Sequence, residues 1–441
     1  EPEKLEQYQT DEETDPRKFH LPEAVVLPKD AQEIAAVIKL ANTYDVPVTV
    51  RSGGTSLAGG AIPVCGGIVL LMERLNKIIE LNAEGMYMEV EAGVRTVDIQ
   101  KYANEAGFLY AGDPCSAESC LIGGNIATNA GGNKAVRYGV TRDQVYAVEV
   151  VTPTGEIVEL GARLKKKSTG YCLEQLIMGS EGTLGIITKA TLKLQPIPPY
   201  RFDLLAVFSD PEQALDVVPK IMQAGINPTS VEYMDNSLCA RYGRLSWSLR
   251  EPLIMRTAFM LSSQWRTFSE DELDLKMEQL DELCSAAGAV DVLEADERIW
   301  DMRRNCQESV RLISLVSLTD DVVVPVNEIA GTIKFIMKIG EKYPFPVKIN
   351  AHIGDGNLHI VLCKCELSDE EWENKVEAFH KEVYTYAYSI GGRLAGEHGI
   401  GAKKLREMET YTPAGELAIM RTIKAAMDPQ LILNPGKIFD L

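Results

Sequence analysis

Pro196-Ile197-Pro198-Pro199 cuts the chain near its middle. Proline has a fixed φ and no amide hydrogen, so three in four residues can continue neither a helix nor a central strand. The segment reads as a linker, with a domain boundary near residue 198. At 441 residues the chain is too long for one ordinary core, and two or three domains are expected. Before the linker, Asp30-x-x-Glu33 predicts a capped helix through Ala41. Residues 46–51 and 86–91 read as strands, and Thr96 as the cap of a helix ending at Gly107. Residues 145–160 read as strand, turn at Pro153-Thr154-Gly155, strand, and residues 183–194 as a further strand. After the linker, helical stretches over 270–287, 328–343 and 369–389 alternate with short strands over 230–233, 322–324, 347–352 and 358–363. No strict βαβ repeat appears, so this half is expected to be α+β with a mainly antiparallel sheet.

Two segments of the first half hold more glycine than packing needs. One is Arg51-Ser52-Gly53-Gly54-Thr55-Ser56-Leu57-Ala58-Gly59-Gly60; the other runs from Pro114 through Gly123-Gly124-Asn125, Ala127, Asn129 and Ala130 to Gly131-Gly132. Small residues let the backbone approach a ligand, and consecutive N–H groups form an anion nest suited to a diphosphate. A pair of tight turns would look the same. Neither segment matches the spaced GxGxxG pattern, which argues against a nicotinamide Rossmann domain.

Net charge is −19, and Lys165-Lys166-Lys167 is the only basic run, so nucleic acid is a disfavoured partner. The nine cysteines are scattered with no CxxC pair, which excludes the common iron–sulfur and structural zinc motifs and suits reduced thiols in a cytoplasmic protein. No apolar run reaches the ~18 residues of a membrane span. The acidic N-terminus shows no signal peptide, and as Glu1 is not an initiating Met, native residues are expected before it.

Of five histidines, all but His20 lie in the last quarter of the chain. His380 falls in a polar helical stretch and reads as a surface residue. In Asn350-Ala351-His352-Ile353-Gly354-Asp355-Gly356-Asn357-Leu358-His359, Asp355-Gly356 predicts a two-residue hairpin loop. That register sets His352 opposite His359 on one face, with Cβ atoms about 5 Å apart. Glu397-His398 lies in the glycine-rich stretch from Gly391 to Gly401. Two His and a carboxylate could make an open metal site; two satisfied surface His beside a glycine-rich turn fit the pattern equally.

Taken in order, these motifs resemble the FAD-linked oxidases of the vanillyl-alcohol oxidase and p-cresol methylhydroxylase class. Within it the chain is similar to the glycolate oxidase subunit, D-lactate dehydrogenase and D-2-hydroxyglutarate dehydrogenase group. Arg137-Tyr138-Gly139, Thr169-Gly170-Tyr171, the run from Gly179 through Glu181, Gly182 and Ile187 to Thr188, and Asn434-Pro435-Gly436-Lys437 carry the same resemblance. It implies a two-part FAD-binding domain over 1–198 with a C-terminal return near 395–441, and an α+β substrate (cap) domain over 199–394 carrying the metal site. Arg51, Ser52, Gly53, Gly54, Thr55 and Ser56 would wrap the FAD pyrophosphate. Pro114, Ser116, Gly123, Gly124, Ala127 and Gly131 would line the ribityl and isoalloxazine path. Glu181, Gly182 and Ile187 would flank the adenosine end, and Asn434 would return to the flavin. The absence of His between His20 and His352 removes a His tether from the glycine-rich loops, so non-covalent FAD is expected; Cys115, Cys120 and Cys172 are the formal candidates left for a tether and read instead as buried structural thiols. The resemblance further implies a divalent metal, zinc or iron(II), on His352, His359 and Glu397, with His398 in catalysis and Arg303 gripping the substrate carboxylate; Arg304 is its neighbour.

The chemistry then expected is oxidation of a small D-2-hydroxy acid. The metal acidifies the hydroxyl, His398 takes its proton, and the Cα hydride passes to flavin N5. D-Lactate is expected ahead of glycolate and 2-hydroxyglutarate. Relatives acting on the latter place a Lys and an Asn where this chain has Thr319 and Val361. A flavoprotein transferase of the ether-lipid synthase type and a non-catalytic electron-transfer module are the competing readings; the segment from His352 to His359 and Glu397-His398 favour the dehydrogenase over the first, and the second has no use for His398 beside a metal. Electrons would leave to a partner protein, an electron-transferring flavoprotein ahead of an iron–sulfur subunit.

Overall fold

The computed structural model describes residues 2–234, 259–295, 299–300, 303 and 310–440. The chain forms two compact units, Glu1–Gly132 with Tyr138–Ile197 and Glu397–Leu441, and Asn133–Arg137 with Pro198–Gly396. Residues 133–137 join the second unit, unlike the expected division, because Arg137 donates to the Arg266 carbonyl at 2.6 Å and reaches Thr229 Oγ1 at 3.3 Å. No described helix is long and apolar enough to cross a membrane.

In the first unit the helix Ala31–Tyr44 starts at Asp30, whose carboxylate accepts from the Glu33 amide at 2.9 Å. Ile34, Ile38 and Ala41 recur at helical spacing, and this face is buried in a core with Val48 and Leu70. Strands Ala24–Val26, Ile68–Leu71 and Val48–Arg51 form a small parallel sheet. Leu433 adds a parallel bridge to Val48, so the C-terminal return is stitched into this unit. A second, five-stranded antiparallel sheet runs in the order Ile78–Asn82, Tyr87–Glu91, Ile186–Lys193, Val145–Val151, Ile157–Gly161. Thr96 does not cap its helix as expected. The helix Thr96–Glu105 has Arg95 at its N-cap, and the buried Thr96 hydroxyl accepts from Asn125 Nδ2 at 2.6 Å. Tertiary hydrogen bonding has taken the hydroxyl that a local cap would use.

The second unit holds a seven-stranded sheet, antiparallel throughout. Its order is Asp291–Glu294, Tyr200–Phe208, Phe259–Thr267, Ser230–Met234, Val347–His352, Asn357–Cys363, Ser317–Val323. The helices Pro211–Gln223, Glu270–Ala286 and Ile329–Gly340 pack on the sheet, and Asp369–Ser389 packs on the last of these. Ile349, Ala351, Leu358, Ile360 and Leu362 are buried on one face. Alternation puts Glu232, Asn350, His352, Asn357, His359 and Asp321 on the other, and these are buried too. A buried polar face on a sheet has to be explained by what it holds.

The hairpin register differs from expectation. His352 pairs with Asn357 and Asn350 with His359, leaving a four-residue turn, 353–356. Ile353 is fully buried, the Gly354 amide donates to the Val231 carbonyl at 3.3 Å, and the Gly356 carbonyl accepts from Val324 N at 2.9 Å. Neighbouring backbone thus captures the turn. Because the shift is two residues, both imidazoles stay on the same face.

Candidate active site

The glycine-rich loops of the first unit enclose about 1220 Å³ of space, part of it open to solvent. All the residues expected to hold FAD line it except Arg51 and Gly131. Arg51 instead donates to the Thr10 carbonyl at 2.6 Å. Gly131 lies behind Glu397: a Cβ there would meet Glu397 Oε2 at 2.6 Å. Gly53 could carry no side chain either, since a Cβ would stand 2.6 Å from the Ser119 carbonyl. At Gly53 the backbone is packed closely beside an open cavity, which leaves room for a ligand to approach the chain. Cys115, Cys120, Asn125 and Thr128 also line it, while Cys172 does not. Of the three thiols expected to be buried only Cys120 is; Cys115 and Cys172 are exposed.

The return loop closes this cavity from the same unit. Glu397 and His398 line it, with His398 Nε2 3.4 Å from Glu397 Oε1. Glu181 fixes the loop: its half-buried carboxylate accepts from the amides of Ile400 and Gly401, each at 2.7 Å. Burial raises its pKa, and these two amides and the Lys437 charge oppose that rise. Asn434 closes the ring of contacts. Its amide donates to the Glu181 carbonyl at 2.8 Å and its oxygen accepts from Val50 N at 2.7 Å. Behind it, Lys424 Nζ donates to the carbonyls of Thr183 and Leu433, each at 2.8 Å, and to Asp428 Oδ2 at 2.6 Å.

The second unit carries the histidine pair. The rings of His352 and His359 stand edge to face with centroids 5.3 Å apart, and a ring nitrogen of each lies within 4.8 Å of the other. His352 Nδ1 is 2.7 Å from Glu232 Oε1, and His359 Nδ1 is 3.0 Å from Asn350 Oδ1. With both Nδ1 atoms so engaged, Nε2 is the nitrogen each ring can offer to a metal, which fits the donor chemistry of an imidazole site. Asp321 also has a carboxylate oxygen within 4.8 Å of a His359 nitrogen, but its oxygens already accept from Asn357 Nδ2 at 2.5 Å and Gly396 N at 3.0 Å.

Family models match the chain as an FAD binding domain over residues 22–161 and as the C-terminal domain of FAD linked oxidases over residues 197–438. This chain belongs to the FAD-linked oxidases. It is 37% identical to a D-lactate dehydrogenase of Anaerostipes hadrus, over 95% of this chain and 89% of that one. It is 34% identical to the glycolate oxidase subunit GlcD of Bacillus subtilis, over 96% and 90%. It is 32% identical to a D-2-hydroxyglutarate dehydrogenase of Stutzerimonas stutzeri, over 95% and 91%. Among solved structures, p-cresol methylhydroxylase matches with a TM-score of 0.82 at 18% identity, covering 100% of this chain and 93% of that one. An alkyldihydroxyacetonephosphate synthase matches with a TM-score of 0.72 at 20% identity, over 93% and 76%. These last two establish the fold alone, a two-domain FAD-binding fold. The sequence relatives make this FAD-linked oxidase an oxidoreductase of the D-lactate dehydrogenase, glycolate oxidase and D-2-hydroxyglutarate dehydrogenase type.

In this FAD-linked oxidase Arg303 is 3% exposed and ion-paired to Glu232 at 2.8 Å. Arg304 lies outside the described residues. His380 is not on the surface: its side chain is 12% exposed, 3.6 Å from the fully buried Asp320 on the helix-covered face of the sheet. Sequence reasoning missed Glu232, Lys424 and Asp428 altogether. It quoted Asn350 only as part of the hairpin segment. The signal for Asn350 was present, since it belongs to the face of His352 at a spacing of two.

Proposed function

We propose that this FAD-linked oxidase oxidises D-lactate to pyruvate, using non-covalent FAD and one divalent metal, zinc or iron(II), held by His352, His359 and Glu397. The observation that carries the reading is His398, an imidazole lining the same cavity as the glycine-rich FAD loops. Bound there, FAD supplies a two-electron acceptor, and the metal supplies Lewis acidity toward the substrate hydroxyl. The chain's own task is the proton. Imidazole is the side chain best suited to take it from the hydroxyl, and His398 is the base in this reading. Arg303, a guanidinium that stays charged at any working pH, is the counter-charge for the substrate carboxylate.

The preference for lactate rests on Thr319 and Val361. They are direct register partners, each two residues along its strand from Asp321 and His359. Val361 is fully buried and packs with Val310 and Ile313. Neither side chain carries a charge to pair with a second, distal carboxylate, which would be costly to bury unpaired. Comparing kcat/KM for D-lactate and D-2-hydroxyglutarate with an artificial electron dye tests this. Lactate should be preferred, and a clear preference for 2-hydroxyglutarate overturns the substrate assignment. Electrons then pass to a partner protein, an electron-transferring flavoprotein ahead of an iron–sulfur subunit.

A further inference from the structure

We propose that Glu232 and Asn350 are positioning residues that set the tautomers of His352 and His359, and that Glu232 also fixes Arg303 against them. The proposal deepens the metal reading above and rests on it for its functional consequence, but the tautomers themselves do not depend on a metal.

Glu232 is the register partner of His352, and Asn350 of His359, so each imidazole has its partner directly across the sheet. A carboxylate and an amide carbonyl oxygen can only accept. His352 Nδ1, 2.7 Å from Glu232 Oε1, and His359 Nδ1, 3.0 Å from Asn350 Oδ1, must therefore carry the proton when the rings are neutral. That leaves the lone pair of each ring on Nε2, the state a metal ligand needs. The other oxygen of Glu232 is committed as well: Oε2 accepts from Arg303 Nε at 2.8 Å and faces Nη2 at the same distance. Arg303 Nη2 stands 3.5 Å from both ring nitrogens of His352. The Glu232 side chain is 1% exposed, and those of Arg303 and His352 are 3% exposed. One buried carboxylate thus orients a ligand imidazole with one oxygen and the guanidinium proposed for the substrate with the other.

Glutamine at this position forces a choice. Its amide offers one acceptor and one donor, facing two donors. Arg303 cannot give up a proton, so the carbonyl turns to it and the NH₂ turns to His352. His352 Nδ1 must then accept, and the proton moves to Nε2, the nitrogen needed for the metal. Asn350→Asp, by contrast, keeps an acceptor on His359 and leaves its tautomer alone.

The test uses the full FAD-loaded chain with ring-¹⁵N histidine, treated with chelator, at a pH where imidazole is neutral. With five histidines, long-range ¹⁵N–¹H correlation resolves each tautomer. In the wild type His352 and His359 should both be Nδ1–H. Glu232→Gln should convert His352 alone to Nε2–H, weaken zinc in competition with a chromophoric chelator by roughly 10–100-fold, and raise KM for lactate while FAD stays bound. Asn350→Asp should leave both tautomers unchanged and should not weaken zinc. Should Glu232→Gln fail to fold, Asn350→Ala must free the His359 tautomer and weaken zinc in its place. Unchanged tautomers, or unchanged zinc affinity, in a folded Glu232→Gln overturn the proposal. A wild type with both Nδ1–H tautomers but no zinc uptake would sink the metal reading while leaving the tautomer assignment standing.

Discussion

Lys424→Met should loosen the C-terminal clamp on the FAD cavity. Lys424 is 2% exposed, and all three of its N–H groups are used, on Thr183 O, Leu433 O and Asp428 Oδ2. Burial pushes its pKa down while the Asp428 carboxylate pulls it up. Methionine fills similar space and donates nothing. Two buried carbonyls and a fully buried carboxylate then lose a partner, although Asp428 keeps the amides of Leu433 at 2.9 Å and Ile432 at 3.4 Å. Breaking a buried pair from one side costs about 3–5 kcal/mol, and the retained amides bring the expectation to about 3 kcal/mol. For a unit of this size each kcal/mol is about 2–4 °C, so Tm should fall by about 6–12 °C. Leu433 precedes Asn434, so flavin should be released earlier in the melt. Circular dichroism and flavin fluorescence on heating report the two events. A variant that melts within about 2 °C of wild type, with flavin release unmoved, would refute this account of the clamp.

Lys437 gives a pH signature. Burial drops its pKa from 10.5 to about 8. Between those values the unfolded chain binds a proton that the native chain does not, so stability rises with pH through that window. The contribution approaches about 3 kcal/mol by its upper end. Urea unfolding of wild type against Lys437→Met should show a difference that shifts in favour of wild type as pH rises from 7 to 10, and a pH-independent difference would count against it. Acid denaturation should release yellow colour into the supernatant, whereas colour retained in the pellet would mean a covalent flavin. The purified chain should not form NADH from lactate and NAD without a partner; robust NADH formation would disprove the proposed electron exit.

The linker, the helix from Ala31 and the glycine loops were legible because each is a local signal: proline density, a capping carboxylate, glycines where backbone must come close. The hairpin was legible as a hairpin but not in register. Asp355-Gly356 favours a two-residue loop, yet burial of Ile353 and backbone bonds to Val231 and Val324 select a four-residue one. The face of His352 and His359 survived because a two-residue slip preserves parity. Glu232 was out of reach for a different reason. It lies 120 residues from His352 in sequence, and nothing local marks a glutamate as the partner of a distant imidazole. Thr96 shows the reverse case, a good local cap signal overridden by Asn125.

The central claim is that a small D-2-hydroxy acid reduces the FAD of this chain with His398 as base. Anaerobic stopped-flow mixing of the FAD-loaded chain with D-lactate tests it in a single turnover, read as bleaching of the flavin's visible absorption. Wild type should bleach rapidly and then stall until a dye or partner is added. His398→Ala should bind FAD and metal as before but bleach roughly a hundredfold or more slowly. A wild-type flavin that D-lactate leaves oxidised, or a His398→Ala variant that bleaches at the wild-type rate, would contradict it.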